Sequence, residues 1–247
     1  MENEEHAAAR GKGLEEPHIF ERGQVLLIDK PLDWTSFDVV RKLRRLARTK
    51  KVGHAGTLDP LATGLLILCT GKFTKRINEY MAQEKEYTGT VTLGAFTPTY
   101  DLESRPVSVG DYSSVTLSQI REVIAARFMG EIMQIPPAHS AIKVDGKRGY
   151  ELARKGKEVK LEPRPVTILA FDITEFRLPE LKFRVVCSTG TYIRSLANDL
   201  GAVLGCGGYL SGLRRTRIGA FRVEEAMTVE GAEVYIRGVL DRDGRGA

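Results

Sequence analysis

The pattern of hydrophobic and polar residues predicts strands at residues 25–28, 84–96, 164–178 and 180–190. A further strand and a short strand are predicted within residues 130–159, and residues 65–69 form a continuous apolar run. Within residues 84–96, the residues on one strand face would be Tyr87, Gly89, Val91 and Leu93. The segments 164–178 and 180–190 are close in sequence and predict an adjacent strand pair.

Helices are predicted where apolar residues recur every three or four positions. The predicted helices span residues 36–48, 72–83, 116–128 and 191–205, with a further basic helix between residues 130 and 159. Thr35 with Asp38 and Thr116 with Gln119 fit capping boxes, which mark helix starts. The buried side of the first helix is predicted to contain Phe37, Val40, Leu43 and Ala47.

These elements predict the fold class and the domain organisation. Strands and helices are mixed without strict βαβ alternation, which indicates an α+β fold with a mixed, mainly antiparallel sheet flanked by helices. No repeat, linker or low-complexity segment divides residues 23–230, so we predict a single domain over residues 23–247. Residues 1–22 are highly charged with little periodicity, and they predict a flexible tail.

The composition is that of an ordinary globular protein. The 247 residues are 42% hydrophobic and 28% charged, and a chain of this length can bury a core without disulfides. No apolar run reaches the ~18 residues that a membrane span needs, and the acidic start lacks the features of a signal peptide. We therefore expect a cytoplasmic protein without membrane contact. Cys69, Cys187 and Cys206 are far apart in apolar sequence, and we expect them to be reduced and buried.

The net charge of +5 is modest, but the basic residues are clustered. Residues 41–51 hold seven basic residues and no acid. A second cluster extends from Lys143 to Lys160, and a third contains Arg214, Arg215 and Arg217. Any one such cluster is typical of a solvated helix face, whereas three of them favour a polyanionic partner.

Few motifs of known chemistry occur in the sequence. The four histidines have no metal-ligand spacing, and "TGKFT" has Phe73 in place of the Ser or Thr of a phosphate-binding loop. The glycine motif of dinucleotide-binding folds and the serine motif of hydrolases are absent as well. Any reaction would therefore use carboxylate, hydroxyl, tyrosine, arginine or lysine groups, and we predict no metal and no cofactor.

Asp59 is the only acid in "VGHAGTLDPLATGLL", residues 52–66, a turn that runs into an apolar segment. One interpretation is structural, because an Asp before Pro in such a turn often caps backbone N–H groups. The other is catalytic, because a poorly solvated carboxylate interacts strongly with a cation and is a nucleophile that needs no activating base. Arg194 is a candidate cation, since the first turn of a helix disfavours positive charge unless an anion is near.

The turn and several other segments resemble the TruB family, the bacterial tRNA pseudouridine-55 synthases. The resemblance is carried by "LLIDKPLDWTSFDVVRKLRR", "GHAGTLDPLATGLL", "KEYTGTVTLG", "SAIKVDGKRGYELARKG" and "STGTYIRSLANDLG", in this order between about residues 23 and 228. It implies a pseudouridine synthase fold. It also implies isomerisation of uridine 55 in the T-loop of tRNA to pseudouridine, by base flipping and covalent catalysis by an aspartate.

The resemblance also implies roles for individual residues. Asp59 matches the catalytic aspartate, which attacks the sugar or the uracil ring, and Arg194 matches the arginine that pairs with it. Tyr87 matches the tyrosine that stacks on the flipped uracil, although strand alternation alone favours a core aromatic residue. The residues implied or predicted to contact RNA are His54, Gly56, Tyr192, Lys30, Lys143, Lys147 and Asp101.

Domain organisation and partners follow from the same resemblance. Residues 131–159 resemble the family's RNA-gripping insertion, and too few residues follow Thr228 for the separate C-terminal RNA-binding domain of longer members, so we predict none. Pro98 stands where many members have an acid, and His139 stands where many have an aromatic residue. We expect a monomer that acts on the tRNA T-arm without an obligate protein partner. The alternative is a non-catalytic tRNA-binding or RNA-folding protein.

Overall fold

The structure, a computed structural model, describes residues 17–108, 110–140, 143–144, 147–148 and 161–243. Within these ranges most strands belong to one sheet. In chain order the strands are β1 (Val25–Lys30), β2 (Val52–His54), β3 (Ala62–Thr70), β4 (Lys85–Leu93), β5 (Ala95–Phe96), β6 (Val107–Ser108), β7 (Gly130–Gln134), β8 (Lys143–Val144), β9 (Lys147–Arg148), β10 (Arg164–Arg177), β11 (Glu180–Cys187), β12 (Gly208–Ile218) and β13 (Phe221–Arg222).

The main sheet has nine strands in the described ranges, in the order β1-β3-β12-β4-β11-β10-β7, with β2 beside β3 and β13 beside β12. β3 and β12 are parallel, and every other pair found in this part of the chain is antiparallel. The strand pair predicted over residues 164–190 is β10 and β11. The prediction of an α+β fold with a mixed, mainly antiparallel sheet is confirmed.

The helices of the described chain pack on this sheet. They are α1 (Ile19–Arg22), α2 (Ser36–Leu46), α3 (Ile77–Met81), α4 (Leu117–Arg127), α5 (Ile193–Val203) and α6 (Val229–Arg242), with 3₁₀ helices at Gly71–Arg76 and Val223–Glu225. α2 and α6 share a core with β1 and β3, whereas α4 and α5 share one with β4, β10, β11 and β12. None of the helices described is long and apolar enough to cross a membrane.

β3 is buried on both of its faces. Leu66 and Leu68 belong to the core under α2 and α6, and Leu65, Ile67 and Cys69 belong to another core beside α3. A strand covered on both sides has no need for polar residues at alternate positions, which explains the continuous apolar run at residues 65–69. Like Cys69, the other two cysteines are buried and form no disulfide, as predicted.

Both predicted capping boxes are present, at the starts of α2 and α4. The prediction that Phe37 is buried is wrong, because its side chain is 58% exposed. Ser36 points inward instead, where its hydroxyl bonds the Leu58 backbone, and this turns the next residue outward. The helix predicted over residues 72–83 is a 3₁₀ helix followed by the short α3.

The described structure extends into residues 1–22, the segment predicted to be a flexible tail. Residues 1–16 lie outside the described residues, but α1 begins at Ile19. Phe20 is fully buried in the core with β1 and β3. The folded domain therefore begins before residue 23, the boundary predicted from the sequence.

β12 and α6 are two elements that were not predicted from the sequence. β12 lies between β3 and β4 in the middle of the sheet, although its three arginines suggest a surface segment. Gly64 allows β3 to approach it, since a Cβ there would lie 2.3 Å from the Arg215 backbone oxygen, and its φ of +102° favours glycine. α6 did carry a recognisable signal, because Val229, Ala232 and Ile236 are buried at helical spacing after the N-cap Thr228.

Candidate active site

Asp59 lies in the turn between β2 and β3, residues 55–61, which we name the Asp59 turn. The Leu58 backbone N–H donates to the Ser36 hydroxyl at 2.9 Å, and this hydroxyl donates to the Leu58 carbonyl at 3.1 Å. The Ala62 N–H donates to the Asp59 carbonyl at 3.0 Å. The start of α2 therefore fixes the turn and leaves the Asp59 side chain 37% exposed.

Lys30, the last residue of β1, holds the same turn from inside the protein. Its ammonium group donates to the carbonyls of Pro31, Trp34 and Pro60. Burial lowers the pKa of this amine to about 8, against the opposite effect of the nearby Asp59. A fully buried ammonium bound to three carbonyls is not presented to a partner, so its position does not favour the RNA contact predicted for Lys30.

The structure brings Asp59 and Arg194 together, as the sequence predicted. Arg194 lies in the first turn of α5, and its Nε is 2.9 Å from Asp59 Oδ2. Its terminal nitrogens donate to the carbonyls of Thr99 and His139, both at 3.1 Å. Because the side chain is only 6% exposed and its other donors are bound to backbone, Arg194 is a cation of fixed orientation.

Asp101 is a second carboxylate beside the same arginine. Its Oδ2 is 3.6 Å from Arg194 Nε, and its Oδ1 accepts a hydrogen bond from the Glu103 backbone at 3.0 Å. Asp101 is 6% exposed, so its position favours holding Arg194 over the RNA contact predicted for it. Of the two carboxylates on Arg194, Asp59 is the one that a substrate can reach.

Tyr87 lies on β4, buried, and beside the candidate nucleophile. The strand register places it opposite Arg215 on β12 and Val185 on β11. Burial raises the pKa of its hydroxyl, while the charge of Arg215 acts in the opposite direction. The Asp59 charge is close enough to raise the same pKa slightly. Tyr87 thus occupies a core position, as alternation predicts, and also borders the Asp59 turn.

The last three predicted residues near the Asp59–Arg194 pair are His54, Gly56 and Tyr192. Tyr192 is the N-cap of α5, where the Gln134 side chain bonds its backbone N–H and carbonyl, at 2.8 and 3.0 Å. Burial raises the pKa of the Tyr192 hydroxyl and lowers the pKa of His54, which favours a neutral imidazole at pH 7. Gly56 has a φ of +93°, a conformation that favours glycine. RNA contacts by these three residues remain predictions.

Lys143 and Lys147 lie in the paired strands β8 and β9, but their side chains are outside the described part of the chain. The same holds for the predicted basic helix after them. Within the described ranges, no group of three or more His, Cys, Asp or Glu side chains is placed to hold a metal ion.

The basic clusters of the sequence have contrasting surroundings. Arg214 pairs with Asp29 and Arg217 pairs with Glu84, both at 2.7 Å, and Arg215 is buried. The arginines of the third cluster are therefore engaged by groups of the protein itself, although the Arg214 side chain is still 40% exposed. A contribution of this cluster to binding a polyanion stays a prediction. In the first cluster, Arg44 and Arg45 of α2 are exposed and form no ion pair with any residue in the described ranges.

Arg215 is the site residue that the sequence analysis missed. Its guanidinium group contacts the backbone of the Asp59 turn. An arginine among other arginines gives no local sign of burial. The available signal was the apolar residues around it, Leu210, Leu213 and Ile218, which are compatible with a strand.

Comparison with family models covers most of the chain. The model described as "TruB family pseudouridylate synthase (N terminal domain)" matches residues 44–193. The model described as "tRNA pseudouridylate synthase B C-terminal domain" matches residues 194–237. The boundary between the two matches falls at the start of α5, and the second match includes β12 in the middle of the sheet.

Individual relatives agree with the family models. The chain is 52% identical over 217 residues to tRNA pseudouridine synthase B of Phocaeicola vulgatus, covering 85% of this chain and 92% of the relative. It is also 52% identical over 220 residues to tRNA pseudouridine synthase B of Flavobacterium johnsoniae, covering 86% and 96%.

A solved structure supports the same relationship. A chain in the crystal structure of a Cbf5-Nop10-Gar1 complex superposes with a TM-score of 0.70 at 30% identity. The match covers 91% of this chain and 57% of that longer chain, so it extends over little more than half of the latter. Sequence, fold and the paired Asp59 and Arg194 agree: the chain belongs to the TruB family of pseudouridylate synthases.

Proposed function

We propose that this enzyme converts uridine 55 in the T-loop of tRNA into pseudouridine, with Asp59 as nucleophile and without a cofactor. Membership of a pseudouridylate synthase family supports the reaction, and the relatives named tRNA pseudouridine synthase B support tRNA as the substrate. The observation that carries the proposal is the partly exposed Asp59 carboxylate, held at 2.9 Å by the buried Arg194.

The reaction exchanges one bond for another within a single nucleotide. The N1–C1′ bond of uridine breaks, the C5–C1′ bond forms, the proton on C5 leaves and N1 gains a proton. Asp59 forms a transient covalent bond to the sugar or to the uracil ring, which lets the base separate from the sugar and turn. Arg194 orients the carboxylate for this attack, because its remaining donors are fixed on the carbonyls of Thr99 and His139.

Tyr87 provides the aromatic surface for the substrate base. A uridine inside a folded T-loop must leave its stack before a protein group can reach it. Tyr87 would then stack on the flipped uracil beside Asp59. The residues proposed to contact the loop around the flipped nucleotide are the neighbours of the Asp59–Arg194 pair, His54, Gly56 and Tyr192.

One chain supplies Asp59, Tyr87 and Arg194, which supports action as a monomer. We place this activity in the cytoplasm, in keeping with a tRNA substrate. Residues 131–159 would grip the T-arm, although most of this segment lies outside the described residues. The segment 194–237 contributes most of α5, all of β12 and part of α6 to the described fold, so the residues of this family match are built into the same sheet that carries Tyr87.

Tritium release tests the proposed reaction. The substrate is a T-arm stem-loop labelled with tritium at C5 of the target uracil. Formation of the C5–C1′ bond displaces the label into water, so the wild-type enzyme is expected to release it completely. The control is a stem-loop labelled at another uridine, from which no release is expected. Tight binding of the first stem-loop without release would contradict the reaction and favour an RNA-folding protein.

Charge reversal on α2, by Arg44→Glu together with Arg45→Glu, is expected to raise KM for tRNA with little change in kcat. The first residue of α2, Ser36, contacts the Asp59 turn, and Arg44 lies about 12 Å farther along the helix. We propose that it meets phosphates of an RNA bound at this turn. Loss of two phosphate contacts should lower the slope of log affinity against log salt by about 2. The measurement is KM at a series of KCl concentrations.

The matched control reverses two exposed arginines on another helix, by Arg121→Glu together with Arg127→Glu on α4. This control has the same change in net charge and is expected to keep the wild-type salt slope. Equal slopes for the two double variants would contradict a tRNA-binding surface on α2.

A further inference from the structure

Arg215, in the middle of β12, is the largest fully buried side chain in the described part of the chain. It is 1% exposed and forms no ion pair with any residue that the structure describes. Removing a guanidinium group from water is costly unless its N–H donors are bonded, so acceptors must surround it. The reaction proposed above gives this buried cation no role.

The acceptors around Arg215 lie at both ends of the Asp59 turn. Its Nε donates to the Leu65 carbonyl at 2.7 Å, and its terminal nitrogens donate to the carbonyls of Thr57 at 3.3 Å and Gly56 at 3.2 Å. Gly56 and Thr57 precede Asp59, whereas Leu65 follows it on β3. One side chain therefore ties the entry of the turn to its exit.

The same side chain also reaches Tyr87. Arg215 and Tyr87 are directly paired in the register of β12 and β4, so their side chains share one face of the sheet. The guanidinium charge lies close enough to the Tyr87 hydroxyl to lower its pKa, against the effect of burial. Arg215 is thus the physical connection between the Asp59 turn and Tyr87.

We propose that Arg215 is a positioning residue, which holds the Asp59 turn and Tyr87 in the relative arrangement that the reaction requires. This inference rests on the proposed function, because it assigns Asp59 and Tyr87 to one reaction. A guanidinium group is suited to the task, since its planar donors reach several carbonyls in fixed directions at once. A lysine ammonium retains the charge but cannot reproduce that arrangement.

The test compares Arg215→Lys and Arg215→Gln with the wild-type enzyme by single-turnover tritium release and by RNA binding. A displacement of about 1 Å in a reacting group lowers rates on the order of 100-fold, and we expect a loss of this size in both variants. RNA affinity should be unchanged, because Arg215 is buried. The matched control is Arg184→Gln on β11, which removes an ion-paired arginine that does not contact the Asp59 turn.

Amide hydrogen exchange distinguishes positioning from general stabilisation. We expect faster exchange in the Asp59 turn of both Arg215 variants, with wild-type protection in β10 and β11. A folded Arg215 variant with the wild-type rate, or uniform loss of protection across the sheet, would overturn the inference. Failure of both variants to fold would also overturn it, because Arg215 would then support the whole sheet. An inactive wild-type enzyme would instead refute the proposed function.

Discussion

The Asp59→Asn enzyme is expected to bind the T-arm stem-loop as tightly as the wild-type enzyme and to release no tritium from it. An amide has the shape of a carboxylate but lacks the charge that makes it a nucleophile at neutral pH. Loss of the covalent nucleophile lowers turnover by a factor on the order of 10⁶ in a serine protease. The measurements are single-turnover tritium release and equilibrium binding of the same labelled stem-loop.

The structure indicates that this substitution leaves the fold intact. Asp59 is partly exposed, and asparagine has nearly the same size and shape, so the side chain can keep its place beside Arg194 Nε. Asp33→Asn is the matched control, since Asp33 is exposed and its backbone N–H donates to the Pro60 carbonyl in the Asp59 turn. Its φ of 62° is one that asparagine adopts readily. Normal turnover by Asp59→Asn would contradict the assignment of the nucleophile.

Local patterns predicted those parts of the fold that depend on neighbouring residues in sequence. In the capping boxes at Thr35 and Thr116, each hydrogen bond joins residues three positions apart, so it forms independently of what the helix packs against. β10 and β11 pair because only two residues separate them in the chain. In both cases the groups that interact are close in sequence.

β12 escaped prediction because its causes are distant in sequence. Register shifts after Leu210 and after Arg215 interrupt the alternation that identifies a strand. Its arginines are neutralised or hydrogen-bonded by groups far along the chain, such as Asp29 for Arg214 and the Leu65 carbonyl for Arg215. Such long-range partners convert a pattern typical of a surface into the centre of a sheet.

The candidate site was predictable only in part for the same reason. A poorly solvated carboxylate needs a cation, and a cation in the first turn of a helix needs an anion, so local features made Arg194 a candidate partner for Asp59. The burial of Lys30 and Asp101 depends on how the loops at residues 31–34 and 97–104 fold over the site. Nothing in their own neighbourhoods indicates that these charged side chains face inward.

Arg194→Lys is expected to lower the single-turnover rate by on the order of 100-fold, while RNA affinity changes little. The wild-type guanidinium meets the Asp59 carboxylate and the carbonyls of Thr99 and His139 in three directions. An ammonium group is a compact point charge and cannot reach all three groups. Asp59 would then lose its fixed orientation although a positive charge remains. Tritium release and stem-loop binding provide the two measurements.

Comparison with Arg194→Met separates the contribution of geometry from that of charge. If the direction of the guanidinium donors decides the rate, both variants are slow. If the positive charge alone decides it, Arg194→Lys keeps the wild-type rate and only Arg194→Met is slow. Arg184→Lys is the control, because Arg184 pairs with Glu86 and Asp172 with 40% of its side chain exposed, where such pairs contribute little. A wild-type rate in Arg194→Lys would show that the fixed direction of the guanidinium donors is not required. Asp59 would then need only a nearby positive charge, and the carbonyls of Thr99 and His139 would serve the stability of α5 and its loops alone.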